Sequence, residues 1–195
     1  MLRFPVAMPR VTRRRTRGLS AFFALLAIAA CSAVPPLTPA TSVTVYVVRH
    51  AEKATDDRRD PTLSTQGKRR AEALASEILA TSPNTASVIL WSSDYRRTRQ
   101  TLAPLAEALG VSINVYDAQD SRALVRAIMA QPDGVHVVAG HSNTVPEIVD
   151  GLSAWPAAPA TLSADLPYDR YDRLFVVRRG SGYPVRVEER RYFSQ

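Results

Sequence analysis

The chain has 195 residues, a formal net charge of +7 and a hydrophobic share of 46%, which is enough apolar sequence for one ordinary domain. The positive charge does not indicate a nucleic-acid-binding protein. Six of the 25 basic residues and none of the 18 acidic residues lie in the first 30 positions, so the rest of the chain is close to neutral. The single cysteine, Cys31, excludes an internal disulfide.

The first 30 residues are predicted to be an export signal. Arginines crowd residues 3–17, and residues 21–30 (AFFALLAIAA) form an apolar run. That run is too short to span a bilayer as a mature helix. Translation starts at Met1 or at Met8, and the sequence is compatible with either.

The apolar run ends directly at Cys31. Residues 28–31 (IAAC) resemble a bacterial lipobox, in which the cysteine is acylated and becomes the new N-terminus. The alternative is ordinary secretory cleavage near residues 30–33, which leaves a free thiol. Several acyl chains on one cysteine anchor a protein stably, and Ser32 resembles the sorting position of outer-membrane lipoproteins. We therefore expect residues 31–42 to be a lipid-attached, Pro-rich tether, and the protein to be exported and anchored in a membrane, with the outer membrane favoured, facing the periplasm or the cell exterior.

Residues 43–195 are predicted to form one catalytic domain of alternating strands and helices. The pattern indicates a single-domain, helix-sandwiched, mostly parallel α/β sheet with antiparallel edge strands. Strands are expected at 43–49, 87–91, 111–116, 135–140, 173–178 and 184–188, and helices at 65–80, from 93 or 94 to 109, after Asp120 and after Asn143.

Two of these strands end in a histidine. Residues 43–48 are followed by Arg49 and His50, and residues 135–140 are followed by His141. In an open parallel sheet, ligands bind just beyond the carboxyl ends of the strands. Two imidazoles and a guanidinium at that edge form an anion site with a nucleophile, which indicates phosphoryl transfer.

The residue types suit that chemistry. Arg49 can hold phosphate oxygens through its planar fork, and His50 can attack phosphorus through a neutral ring nitrogen. Arg96, Arg97 and Arg99 follow the second strand at a helix start, where anions are favoured. At 3.6 residues per turn only one of the three is expected to face the ligand.

Four motifs, in order, resemble the histidine phosphatase superfamily, which includes the cofactor-dependent phosphoglycerate mutases. They are residues 47–53 (VVRHAEK), 63–71 (LSTQGKRRA), 92–101 (SSDYRRTRQT) and 139–144 (AGHSNT). The resemblance implies a fold like that of phosphoglycerate mutase. It also implies that His50 is the phosphorylated nucleophile and that Arg49, Arg97 and His141 form the rest of the pocket. Asn143 is a further candidate donor to phosphate.

The proton donor is less well marked. Many members of the family carry a glutamate in a Gly-containing loop between the second arginine motif and the second histidine, and this chain lacks that loop. Asp117 and Asp120 occupy the region, although Asp120 is also a natural helix cap. Glu52 is the third candidate and is equally a local hydrogen-bond partner. A donor is unnecessary if the leaving group is already good, as in phosphohistidine or an acyl phosphate.

Some residues with suitable side chains are not assigned to the site. A metal site built from His50, His136 and His141 is conceivable, but no Cys or His-x-His pattern supports it, so no metal and no cofactor are expected. Three aromatic residues near the late loop could line a substrate cleft, but ordinary packing is the favoured interpretation: Trp155, Tyr168 and Tyr171.

The expected activity is metal-independent hydrolysis of a phosphomonoester through a phosphohistidine intermediate, on a phosphorylated small molecule or a phosphoprotein. One alternative is a phosphoglycerate-type mutase. The other is a catalytically idle lipoprotein that binds phosphorylated ligands. The short interval between Arg97 and His141 leaves little chain for a lid, which favours hydrolysis.

Overall fold

The computed structural model describes residues 42–82, 87–131, 133–180 and 182–193. The predicted export signal, Cys31 and the tether up to residue 41 lie outside the described residues. Within the described ranges, no helix has both the length and the hydropathy that a membrane span requires.

Strands and helices alternate along most of the described chain, and two paired strands follow the last helix. The strands are β1 (Ser42–Arg49), β2 (Val88–Ser93), β3 (Ile113–Tyr116), β4 (Gly134–Gly140), β5 (Arg173–Gly180) and β6 (Arg186–Arg191), and the helices are α1 (Thr65–Thr81), α2 (Arg96–Leu109), α3 (Ser121–Met129) and α4 (Thr144–Ala154).

All six strands belong to one sheet, in the order β3-β2-β4-β1-β5-β6. The four strands β1, β2, β3 and β4 run parallel to one another. β5 pairs antiparallel with β1, and β6 pairs antiparallel with β5 at that edge of the sheet. The predicted fold class, a mostly parallel helix-sandwiched sheet with antiparallel edge strands, is therefore confirmed. β1 and β4 are central neighbours, so the two histidine-bearing strand ends lie side by side.

The core forms two layers, one on each face of the sheet. In β1, Tyr46 and Val48 pack with buried residues of α1 and α2, while Val45 and Val47 pack with buried residues of α3 and α4. Because helices cover both faces, every residue from Val45 to Arg49 is buried. That double coverage explains why the strand is a continuous apolar run and not an alternating one.

Several element boundaries differ by one to three residues from those predicted, and two of these differences have a clear cause in the strand pairing. α2 begins at Arg96, not at residue 93 or 94, because Ser93 still pairs with Tyr116 in the sheet. The last strand is Arg186–Arg191 and not residues 184–188, because its register opposite β5 pairs Arg186 with Arg178. α2 ends as expected at Gly110, whose positive φ of 66° closes the helix in the left-handed region.

Candidate active site

The ends of β1 and β4 place His50 and His141 in one pocket. Arg49 pairs with Gly140 in the parallel ladder, and the His50 backbone N–H donates to the Gly140 carbonyl at 2.9 Å. The two imidazole centroids are 5.5 Å apart, with 64° between the ring planes. A Cβ at Gly140 would lie 2.7 Å from Thr144 Oγ1, so only glycine allows this approach.

The His50 ring is held in one tautomer. Its Nδ1 lies 2.7 Å from the Ala51 carbonyl oxygen, which can only accept, so Nδ1 carries the proton and Nε2 keeps its lone pair. The Ala51 N–H donates to Thr101 Oγ1 at 2.9 Å, which fixes the backbone beneath the ring. Burial, together with the positive charges of Arg97 and Arg49, lowers the pKa of His50 to about 3. The free site therefore presents a neutral, oriented nucleophile.

Both ring nitrogens of His141 have a polar partner. Nε2 is 2.8 Å from Ser93 Oγ, and Nδ1 is 3.4 Å from an Nη of Arg97. Because Arg97 can only donate, this arrangement puts the proton on Nε2. The His141 backbone N–H donates to Thr144 Oγ1 at 2.9 Å, which ties the ring to the first turn of α4. Burial, with Arg97 and Arg49 nearby, lowers the pKa of His141 to about 4.

Of the three arginines at the start of α2, Arg97 faces the pocket. Its side chain is 14% exposed, against 49% for Arg96 and 48% for Arg99. The Arg97 guanidinium lies 4.2 Å from the centre of the Tyr95 ring and pairs with Asp60 at 3.6 Å. Arg99 instead pairs with the exposed carboxylate of Asp94. The helical periodicity thus separates one pocket cation from two surface cations.

Arg49 connects the pocket to the late loop. One Nη donates to the carbonyl oxygens of Pro167 and Tyr168, at 3.0 and 2.8 Å. The guanidinium also packs over the Tyr171 ring, 4.2 Å from its centre. The buried Nε has no hydrogen-bond partner among the described residues. Arg49 therefore holds the loop in place and still keeps one donor uncommitted.

These side chains surround a cavity of about 320 Å³. Arg49, Lys53 and Arg97 supply three cationic groups, and no carboxylate residue of the described chain lines the cavity. The remaining lining side chains are neutral: His50, Tyr95, Ala118, Gln119, His141, Ser142, Asn143, Thr144 and Tyr168. All five residues predicted for catalysis or phosphate binding, Asn143 included, are brought together here. The cavity suits a compact anion of high charge.

None of the three candidate proton donors lines this cavity. Glu52 receives a bidentate pair from Arg70, at 2.7 to 2.9 Å. Asp120 is exposed and accepts the Ala123 N–H as the cap of α3. Asp117 is also exposed and accepts the Gln119 N–H. Each carboxylate is committed to local structure, so the predictions of a donor role at these positions lose their geometric support.

His136 takes no part in the site. It is fully buried within β4, where Trp91 Nε1 donates to its Nδ1 at 3.0 Å and its Nε2 lies 3.2 Å from the Gln131 carbonyl. Both ring nitrogens thus have protein partners, and the ring stacks on Trp91. A metal site that combines His136 with His50 and His141 has no geometric basis.

Several residues at the pocket were not predicted to belong to the site. Tyr168 lines the cavity, which agrees with the alternative of a substrate cleft, whereas Tyr171 packs against the Arg49 guanidinium and is not among the lining residues. Lys53 lies in the first of the four sequence motifs and Ser93 lies in the third, but no role in the site was predicted for either residue. Asp60, which pairs with Arg97, lies in a charged loop that shows no periodicity. The loop residues reach the site only through tertiary packing, so no local pattern marks them.

Comparison with known proteins agrees with this geometry. Residues 45–120 match the sequence model of the histidine phosphatase superfamily (branch 1), a span that includes Arg49, His50 and Arg97. No curated protein sequence matches the chain.

Solved structures with the same fold are distant in sequence. A Nakamurella multipartitia protein assigned as the phosphohistidine phosphatase SixA is 20% identical, with a TM-score of 0.55 over 78% of this chain and 98% of its own. The protein histidine phosphatase SixA in complex with tungstate is 17% identical, with a TM-score of 0.54 over 76% of this chain and 96% of its own. Mycobacterial glucosyl-3-phosphoglycerate phosphatase is 17% identical, with a TM-score of 0.53 over 75% and 97%.

The matched motifs, their order along the chain and the shared fold lead to one family. Residues 45–120 carry the sequence pattern of the histidine phosphatase superfamily (branch 1), which supports a histidine-type phosphatase, and the fold is the one that the SixA and mycobacterial structures share.

Proposed function

We propose that the protein hydrolyses phosphorylated substrates through a phosphohistidine intermediate formed on Nε2 of His50. The observation that carries this proposal is the fixed tautomer of His50, whose Nδ1 proton is given to the Ala51 carbonyl. That bond leaves the Nε2 lone pair for attack in a pocket that contains three cationic side chains. Related folds are described in complex with tungstate, with VO3 and with inorganic phosphate, which supports an oxyanion as the ligand here.

The first step is an in-line displacement at phosphorus. The bond between phosphorus and the leaving group breaks, its electron pair leaves with that group, and a bond from phosphorus to Nε2 forms. Arg97, Lys53 and the guanidinium of Arg49 stabilise the charge on the equatorial oxygens. Water then attacks the phosphohistidine, gives up a proton and releases inorganic phosphate, which restores His50.

His141 supports the same transfer. In the free site its pKa is about 4, lowered by burial and by Arg97 and Arg49. A bound phosphate brings negative charge that opposes those cations, so binding raises the proton affinity of His141. The protonated imidazole then stabilises the transferred phosphoryl group.

The absence of a lining carboxylate among the described residues bears on the substrate. An alkoxide leaving group needs a proton as it departs, whereas weakly basic groups leave without one. The pocket therefore favours acyl phosphates, aryl phosphates and phosphohistidine, whose imidazole departs as a neutral ring when its other nitrogen is protonated, over simple alkyl esters. Among the related folds, SixA is described as a phosphohistidine phosphatase, which is phosphoramidate chemistry.

Hydrolysis is preferred over mutase activity. Between Arg97 and His141 the chain forms the rest of α2, then β3, α3 and β4, with short connections between them. Among the residues of this interval that the structure describes, no inserted segment covers the pocket, so water reaches the phosphohistidine. We expect phosphate release from several small substrates and negligible interconversion of 2- and 3-phosphoglycerate. Efficient interconversion with little free phosphate would assign a mutase while keeping the His50 chemistry.

The test is turnover of p-nitrophenyl phosphate with a chelator present, combined with acid- and base-quench trapping of a phosphoenzyme. We expect an acid-labile, base-stable phosphoenzyme in the wild type and none in His50→Ala, whose turnover should fall by at least about 1000-fold. Arg96→Ala is the matched control, since Arg96 is half-exposed at the same edge. Wild-type turnover by His50→Ala contradicts the mechanism. Tungstate binding without any turnover indicates an idle binding protein.

A further inference from the structure

A second cavity, of about 450 Å³, lies beside the phosphate pocket. Gln119 lines both cavities, so they meet at the loop that joins β3 to α3. The second cavity is a groove between α3, α4 and the segment that follows α4. We call it the α3–α4 groove.

One face of α4 runs from the first cavity into the second. Thr144 lines the phosphate pocket, and Glu147, Gly151 and Trp155 line the groove. These four positions are three or four residues apart and therefore share one side of the helix. At a rise of about 1.5 Å per residue, Gly151 lies about 10 Å along the helix from Thr144. The groove thus begins at the phosphate site and leads away from it.

The segment that follows α4 forms the outer wall of the groove, and hydrogen bonds hold it against the rest of the fold. Arg179 donates to the carbonyls of Leu152 and Trp155, at 2.6 and 2.9 Å. Further along, the Ser163 side chain donates to Asp150 at 3.0 Å. The groove therefore has a formed wall before any ligand binds, which reduces the ordering cost of binding.

A second attachment leads back to the phosphate pocket. The Leu166 N–H donates to the Ser142 carbonyl at 2.9 Å, and Ser142 lines that pocket directly after His141. The wall of the groove and the edge of the phosphate pocket are thus joined through one hydrogen bond.

The lining of the groove is more apolar than that of the phosphate pocket, although Asp120, Arg122 and Glu147 also line it. Val125, Trp155 and Leu162 contribute side chains, together with two prolines and two alanines of the wall, and Leu162 is 55% exposed. Glu147 lies within it and accepts the Ser121 hydroxyl at 2.8 Å. The phosphate pocket, by contrast, holds three cations. Together the two cavities fit a molecule with a strongly anionic end and an apolar body.

We propose that the α3–α4 groove is the subsite for the leaving group, and that it selects phosphorylated substrates whose leaving group has an apolar, aromatic body. This inference rests on the proposed function, because it requires the phosphate to bind at His50. A phenoxide is also a weaker base than an alkoxide, so it departs without the proton that the residues lining the phosphate pocket do not supply. The groove and the phosphate pocket thus select the same class of compound.

The test compares phenyl phosphate with 2-naphthyl phosphate, whose leaving groups have similar basicity but different apolar area. An added ring that is buried should raise kcat/KM by about tenfold. Leu162→Ser should reduce that preference to below about threefold. Val187→Ser is the matched control, because Val187 is a similarly exposed apolar residue on β6. Equal preference in the wild type and in Leu162→Ser overturns the inference.

A binding measurement keeps the inference testable without catalysis. The chain has two tryptophans: Trp155 lines the groove, and Trp91 donates its indole N–H to His136 in the sheet. Naphthylmethylphosphonate, which cannot be hydrolysed, should shift the Trp155 indole resonance in NMR spectra and leave that of Trp91 in place. Methylphosphonate should shift neither. An unmoved Trp155 resonance at saturation rejects the subsite, whereas loss of turnover with this shift intact rejects only the proposed reaction.

Discussion

His50 and His141 are adjacent across a parallel ladder, since each follows one member of the Arg49–Gly140 pair. Their ring centroids are 5.5 Å apart, and each ring already has a polar partner that fixes its orientation. The spacing of the two imidazoles is therefore a property of the sheet and not of a flexible loop. Substitutions at the sheet edge should consequently affect chemistry before they affect folding.

Both imidazoles should be neutral in the free protein at mildly acidic pH. The pKa is lowered to about 3 for His50 and to about 4 for His141, mainly by burial. NMR titration of the ring nitrogens should therefore show no protonation of either residue down to pH 5. Tungstate should raise the midpoint of His141. A midpoint near 6.5 for His50 in the free protein would refute this prediction.

The same shifts give the sign of the pH dependence of stability. A folded-state pKa below the unfolded value means that the unfolded chain binds more protons as pH falls below about 6.5. The contribution of the two histidines to stability is thus intact above that pH and is progressively lost toward pH 4. Denaturant unfolding at pH 7 and at pH 5 measures this contribution, and the free energy of unfolding should be lower at pH 5.

Arg97 should contribute far more to catalysis than its two neighbours. Arg97→Ala removes a pocket donor and should lower kcat by about 100- to 1000-fold. Arg96→Ala and Arg99→Ala remove half-exposed side chains and should change kcat by less than about threefold. Steady-state kinetics on one substrate compares all three. Equal losses at the three positions would show that the α2 register has been misassigned.

Asp60 should tune the affinity for phosphate. Its carboxylate lies 3.6 Å from Arg97 and accepts the Arg96 backbone N–H at 2.9 Å. Asp60→Asn can keep the acceptor for that N–H but removes the charge that competes with phosphate for Arg97. Inhibition by inorganic phosphate should therefore strengthen by about two- to fivefold, the scale of an exposed ion pair. Unchanged inhibition by phosphate would show that Asp60 only caps the helix.

Gly140→Ala should damage the site and stability together. The new Cβ would lie 2.7 Å from Thr144 Oγ1, which accepts the His141 N–H, so His141 has to move. We expect a loss of about 1–3 kcal/mol in unfolding free energy and at least about a tenfold loss in kcat. Gly110→Ala is the control. It strains a left-handed residue that has no neighbour within 4 Å, so it should lower stability and spare activity.

Cys31 should carry the lipid, although it lies outside the described residues. Labelled palmitate should be incorporated when the full chain is expressed in bacteria, and Cys31→Ser should yield an unprocessed or soluble product. Mass spectrometry of the mature N-terminus provides the direct measurement. An unlipidated mature chain that starts after Ala33 would rule out the lipobox assignment.

The sequence by itself determined the fold class and the central residues of the site. Apolar runs that end at Arg49 and at Gly140 mark buried strands, and a strand end in a parallel sheet is a fixed position at the ligand-binding edge. The helical period likewise predicted that only one of Arg96, Arg97 and Arg99 would face the pocket. These features depend on neighbours close in sequence, so local patterns carry them.

The tertiary structure decided how the pocket is completed. The donor candidates Glu52, Asp117 and Asp120 were chosen by position in the chain, yet each carboxylate is committed elsewhere. Glu52 pairs with Arg70, a residue 18 positions away, and no local pattern marks that pair. The late loop reaches the site because Arg49 binds carbonyls 118 and 119 residues further along the chain. Contacts of that range depend on how the layers pack and leave no periodic trace in the sequence.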